Sequence, residues 1–288
     1  MIAMRASQPG AAGTGVPVHR RAGNNLRLAW RITVLNVKAR LEYPFDFAVG
    51  ILNGILYQTT VLLFVGVLLT RFPGLDSWTA GEVMLIASIR LLGHSVYVVT
   101  FDNLMQVPYL LRQGRFDTFM VRPRPVLFQV LTNSVSINAL GDLLVAVSLF
   151  TAAQMKLGLT WSAGKVIFLL LALLGAILLE AAIHLAVSSL GFITAASESL
   201  GLWVEDLMAN FGNYPVDIFP KLIRASLVFI LPVAFLGYFP AAVVLGKTED
   251  VYGPPVLALA SPLAGFIAFG LAYVLWGKAL KRYQGNGT

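Results

Sequence analysis

Cysteine is absent from the 288 residues. Disulfides and thiolate metal sites are therefore excluded. Charge is scarce: Asp, Glu, Lys and Arg make up 12% of the chain, against roughly a quarter in a soluble domain. Hydrophobic residues make up 57%, and mean hydropathy is +0.77. So few charges cannot cover so much apolar surface in water, so part of the solvent must be lipid. Residues 1–25 lack the apolar core of a signal peptide, which leaves the first apolar segment as a retained anchor.

Catalytic signatures are missing as well. The run 241–248, AAVVLGKT, approaches a phosphate loop. Ala241 stands where the first glycine belongs, and membrane-like sequence replaces the preceding strand. Ser162 and Lys165 have the spacing of some acyl-enzymes but lack the companion motifs. No nucleophile–base set is present. The expectation is a non-enzyme with no catalytic residue and no cofactor of its own.

What is present is a succession of apolar runs. After a polar tail over 1–23, residues 24–43 interleave Leu26, Ala29, Trp30, Val34, Val37 and Leu41 with Arg27, Arg31, Lys38 and Arg40. This spacing predicts an amphipathic helix lying in the headgroup layer. Spans are predicted over 47–69 and 83–101, the first ending at Arg71-Phe72-Pro73-Gly74 and the second carrying Arg90 and His94. A polar stretch, 102–125, follows. The apolar run 126–155 exceeds one bilayer and holds Asn133, Ser134, Ser136 and Asn138 in its first half. Run 166–196 carries Glu180 and His184, four apart on one face. Leu200, Trp203, Leu207 and Phe211 then mark a second surface helix or the inner end of the fourth span. Two further spans are predicted over 218–238 and 263–280. Residues 241–259 are too short for two spans and too apolar for an ordinary loop, so a re-entrant hairpin is expected.

Net charge is +7 and the isoelectric point about 9.8. With the N-terminus inside, most Lys and Arg fall on inner segments. These are the N-terminal group through Arg40; Arg112, Arg115, Arg122 and Arg124; Lys221 and Arg224; and Lys278, Lys281 and Arg282. Arg71, Lys156, Lys165 and Lys247 fall outside. That asymmetry fixes orientation, places both termini in the cytoplasm, and explains the basic balance without nucleic acid.

Polar groups inside apolar runs are costly and mark function. Asn53, Gln58, Arg90, His94, Asn138, Asp142, Glu180 and His184 are the candidates to line a translocation path. A metal site at Glu180, His184 and His94 lacks a second carboxylate at a set spacing. A Glu180–His184 hydrogen bond, or a partner such as Arg90, is expected instead. Gly50-x-x-x-Gly54 is a hint of helix packing.

The stretch 112–125, RQGRFDTFMVRPRP, resembles the first cytoplasmic loop of ABC-2-type permeases, in particular the six-span group that includes viologen and drug exporters. NYPVDIFPKLIR (213–224), LPVAFLGYFPA (231–241) and ALKRYQGNG (279–287) continue the resemblance, which spans 27–287. It implies an all-α polytopic fold: six transmembrane helices, an N-terminal amphipathic interfacial helix, and a re-entrant segment between spans five and six. The domain is read as 24–288, in a bacterial inner membrane. The resemblance further implies an ABC ATPase dimer that holds ATP and Mg, and a second permease, identical or paralogous. Leu111, Arg112, Gly114, Arg115, Phe116, Asp117 and Arg122 are expected to form the contact with that ATPase. The expected function is ATP-driven export of amphipathic or cationic small molecules. The alternative is a secondary transporter or channel run by ion gradients, in which Asp142, Glu180 and His184 relay protons; no inverted repeat supports it.

Overall fold

A computed structural model describes residues 18–71, 78–194 and 196–283. Residues 1–17 of the expected tail lie outside the described residues, as do 72–74 of the first stop signal and 284–287 of the last motif. Secondary structure is helical. α1 (Val18–Leu41), α2 (Pro44–Arg71) and α3 (Ala80–Phe101) come first. The short α4 (Val107–Arg112), α5 (Asp117–Met120) and α6 (Val126–Leu131) follow. α7 (Asn138–Leu157), α8 (Ala163–Leu190) and α9 (Ser197–Phe211) precede another short set, α10 (Lys221–Phe229), α11 (Tyr238–Leu245) and α12 (Pro255–Leu259). α13 (Ser261–Arg282) is last.

Local chemistry sets the boundaries. Thr79 and Glu82 form a reciprocal capping box that starts α3. Ser162 accepts from the Lys165 amide at the start of α8. Gly158, at φ +57°, ends α7 in a left-handed turn. α1 begins at Val18, six residues before the expected start, and rests one flank, Leu28, Ile32 and Asn36, beside residues 122–133.

Among the described residues, five helices are long and apolar enough to cross a membrane: Pro44–Leu63, Ala80–Arg112, Asn138–Leu157, Ala163–Leu190 and Ser261–Arg282. The expected span over 218–238 is not a continuous helix. α10 stops at Phe229, a 3-10 turn covers Val233–Phe235, and α11 begins at Tyr238. Pro232 lacks an amide proton and crowds the preceding turn, which breaks the run. The long run 126–155 is also broken, between α6 and α7. There the Asn103 amide donates to the carbonyls of Leu131 and Ser134, and Ser134 donates to Asn103 Oδ1. Those bonds let irregular backbone sit inside an apolar bundle.

One further expectation is corrected. The expectation set Lys221 and Arg224 at the opposite end from Lys247, whereas Arg224 lies at the same end as Lys247. Arg224 stacks on Tyr252 and donates to the Asp217 carbonyl, and Asp217 accepts from Trp78 and Tyr238. These groups occupy the end of the bundle where Lys247 pairs with Glu82 at 2.7 Å. On α9 the bulky stripe is divided: Leu200 and Trp203 are exposed, Leu207 is half-buried and Phe211 packs on Phe219, whereas Val204, Met208 and Ala209 are buried. In lipid the large apolar side chains serve the solvent side, which reverses the rule for a helix in water.

Helices meet through glycine. α8 against α13 is the most extensive contact, and α3–α7 and α2–α7 follow. A Cβ on Gly265 would lie 1.8 Å from the Gly175 carbonyl oxygen, and one on Gly175 2.5 Å from that of Pro262. On the α2–α7 seam, a Cβ on Gly141 would lie 2.2 Å from the Ile51 oxygen, and one on Gly54 2.3 Å from the Asn138 oxygen. The Gly50–Gly54 hint is therefore a real contact. Lipid offers no hydrophobic gain for pairing helices, so association rests on this backbone-level packing.

Replacing Gly265 with Ala should therefore cost about 1–3 kcal/mol, because the facing backbone must move. Gly270, on the same helix, has no neighbour within 4 Å of its Cβ position. Gly270→Ala should be neutral or slightly stabilising. Thermal unfolding in detergent, followed by tryptophan fluorescence, compares the two.

Candidate functional site

Three regions carry the polar residues. The first is a buried cluster at the junction of α3, α8 and α9. His94 Nδ1 lies 2.6 Å from Glu180 Oε1 and 3.9 Å from Glu205 Oε1. His184 Nε2 lies 2.9 Å from Glu205 Oε2. Glu180 and His184 sit on one face of α8, four residues apart, as expected. They do not bond to each other: each is answered from another helix. Tyr97, one turn along α3 from His94, stacks on His184 with ring centroids 5.2 Å apart. Glu205 was missed in the sequence, where its helix was read as a second surface helix or the inner end of the fourth span. Its signal is its place beside Val204 and Met208 on the less bulky face of α9.

Arg90 behaves differently from the expectation. Its side chain is 2% exposed, and Nε and Nη2 have no hydrogen-bond partner. It packs against Gly212 and Gly237 rather than pairing with a carboxylate.

The second region is a cavity of about 290 Å³ between α2, α3 and α7. Asn53, Gln58, His94, Asn138 and Asp142 line it, with Tyr57, Asp102 and Ser136. Five of the eight path candidates thus share one cavity. Glu180 and His184 lie behind His94, and Arg90 is one turn away along α3. Gln58 is buried on the cavity wall, its amide turned toward Asp142. Asp102, not singled out from sequence, also borders a smaller cavity of about 160 Å³ with His184, Ser197 and Glu198. Asp102 therefore touches the two open volumes on either side of the His–Glu cluster.

The third region is the 111–124 loop. Phe116 is fully buried among Phe119, Phe192, Trp276 and Tyr283. Leu111 is buried and lies against Gly191. Asp117 accepts a 2.8 Å hydrogen bond from the Tyr283 hydroxyl. Burial, with that bond and the carboxylate charge, pushes the Tyr283 phenol up to about 12. Gly114 adopts φ +67°, a turn that other residues resist. Gln129 donates to the carbonyls of Phe119 and Arg124 and so ties the loop down. Arg112 pairs with Glu198 at 2.6 Å, while Arg115 and Arg122 are exposed. Of the seven residues expected to act together, Leu111 and Phe116 are buried anchors, Gly114 and Asp117 shape and tie the turn, and Arg112, Arg115 and Arg122 are cations at the surface.

That division is testable by stability alone. Phe116→Ala should cost roughly 3–5 kcal/mol, as for other buried aromatics. Arg115→Ala should change stability by less than about 0.5 kcal/mol. Chemical unfolding of both variants measures the difference.

A family model described as ABC-2 family transporter protein matches residues 55–287. No curated protein and no solved structure matches the chain.

Proposed function

The chain belongs to the ABC-2 transporter family, and from that membership we propose that it is the permease subunit of an ATP-driven exporter of amphipathic organic cations. It is a multi-pass membrane transport subunit. The observation that carries the finer reading is the cavity between α2, α3 and α7. Five polar path candidates converge there within an apolar bundle, with Asp142 on its wall. An uncompensated carboxylate in a span is costly unless it faces water or meets a cation.

On this reading the chain crosses the bacterial inner membrane six times. The fifth crossing is α9 together with 212–217. α10 and α11 then form the re-entrant pair, 221–245, earlier in the chain than the 241–259 expected from sequence. Val233, between them, meets Gly212 beside Arg90, while Arg224 and Lys247 lie near Trp78. α1 lies in the headgroup layer, and both termini are cytoplasmic. An ABC ATPase dimer binds ATP and Mg and docks on the 111–124 loop, with Arg115 and Arg122 presented to it. A second permease, identical or paralogous, completes the path. Export then proceeds as the pair switches between inward and outward exposure.

Buried His–Glu pairs favour one competing reading, proton-coupled transport through His94 and Glu180. Energy source separates the two. In proteoliposomes containing the permease and its ATPase, uptake of a fluorescent organic cation should require ATP and survive a protonophore. ATP-independent uptake abolished by the protonophore would establish the competitor. Asp142→Asn keeps size and hydrogen bonding but removes charge, and should lower cation transport with basal ATPase activity retained. Arg115→Ala with Arg122→Ala should leave assembly intact and lower substrate-stimulated ATP hydrolysis. Unchanged values for both variants would remove the cavity and the loop from the mechanism.

Orientation is checked separately. The chain has no cysteine, so single-cysteine variants need no background removal. A membrane-impermeant maleimide should label Lys156→Cys in intact cells and Arg122→Cys only after permeabilisation. The opposite pattern would invert the assignment.

A further inference from the structure

We infer that His94, Glu180 and Glu205 bind one divalent transition-metal ion of the zinc class, with His184 holding Glu205 in place. The inference rests on donor geometry and does not require the transport reading.

The three donor atoms lie within 4.8 Å of one another. Around a tetrahedral zinc ion with bonds of roughly 2.0–2.2 Å, donors sit about 3.4 Å apart. Two of the three separations, 2.6 Å for His94–Glu180 and 3.9 Å for His94–Glu205, bracket that value. Small rotations of two carboxylates would equalise them. A mixed imidazole and carboxylate set suits zinc, cobalt or nickel more than magnesium or calcium. The fourth position is left for water or another ligand.

The outer partner is already built. His184 Nε2 lies 2.9 Å from Glu205 Oε2, the oxygen turned away from His94. A neutral His184 donating there fixes the carboxylate, the role second partners play at metal sites. His94 also lines the cavity of about 290 Å³, which provides an access route.

Charge gives the second argument. Two ionised carboxylates and neutral imidazoles leave a charge of −2 inside an apolar bundle. Arg90, which makes no hydrogen bond through Nε or Nη2, offsets part of that charge only through space. One divalent ion neutralises the cluster. Protonating both imidazoles would do so equally, and the experiment separates these states. The ligands come from α3, α8 and α9, so the ion would clamp α9 to the other two helices.

The test uses the assembled transporter in detergent, stripped with a chelator and equilibrated with Zn²⁺ or Co²⁺. Mass spectrometry of bound metal should find about one ion per copy of this chain. Co²⁺ should give the intense visible absorption of a four-coordinate site. Glu180→Gln should abolish binding, His184→Gln should weaken it roughly 10–100-fold, and Glu42→Gln, at an exposed carboxylate outside these three helices, should leave it unchanged. If the parent retains no more metal than Glu180→Gln, the cluster is a hydrogen-bonded network and the inference is overturned. Should the variants fail to assemble, X-ray absorption of the zinc-loaded parent decides. Imidazole among nitrogen and oxygen donors at about 2.0 Å supports the site, and its absence overturns it.

Discussion

A polar side chain in hydrocarbon must be answered from within the protein, and the 2.6 Å approach of His94 to Glu180 is where this bundle meets that requirement. The contact joins α3 to α8. Glu205 extends it to α9 through His184. Without these partners, two carboxylates buried between helices would be unanswered charges, costing several kcal/mol each. The cluster therefore fixes which faces of three helices turn inward. The Asp142 cavity forms on the far side of His94 as a consequence.

Glycine supplies the complementary constraint. Gly175 and Gly265 bring two backbones into contact, and Gly54 and Gly141 do the same on the opposite flank. Packing of this closeness leaves little freedom to slide. Helices α8 and α13 accordingly behave as one unit, and α2 with α7 as another. The cavity lies along the second seam, where Gly54 is itself part of the wall. Relative movement of such units would leave both glycine seams packed.

Much of the architecture was legible in the sequence, and the failures share a cause. Spans over α2, α3, α8 and α13 follow from apolar length alone, a signal that lipid makes reliable. The glycine pair at Gly50 and Gly54 and the glycine turn at Gly114 were also readable, because geometry demands that residue type. What failed depends on direction. The spacing of Leu200, Trp203 and Leu207 left α9 open between a surface helix and the inner end of the fourth span, because periodicity does not say whether lipid or protein receives the stripe. Glu205 was lost with that face. The 218–238 run failed because hydropathy averages over Pro232, and one proline divides it. Glu180 and His184 were rightly placed together on one face. Their partners on α3 and α9 come from tertiary packing, which a spacing of four cannot reveal. Lys221 and Arg224 were set at the opposite end from Lys247 for the same reason: hydropathy counted the broken fifth run as a crossing, whereas Asp217, Arg224 and Lys247 gather near Trp78.

The exposed loop and the buried cluster are joined by unbroken packing. Phe116 is held between Phe192, just past the end of α8, and Trp276 on α13. Those two helices share the Gly175–Gly265 contact. Glu180 lies five residues from Gly175, about 7.5 Å along the helix, and reaches His94 on the cavity wall. A second strand of contacts runs from Arg112 to Glu198 at the start of α9, and from Glu205 on that helix to His184. Contiguity is a requirement for coupling and not coupling itself. Here it has a specific form. A push on the loop bears on α8 and α13 through aromatic rings, and on α9 through an ion pair. The His–Glu cluster sits where α8 and α9 meet α3, so it feels any difference between the two displacements.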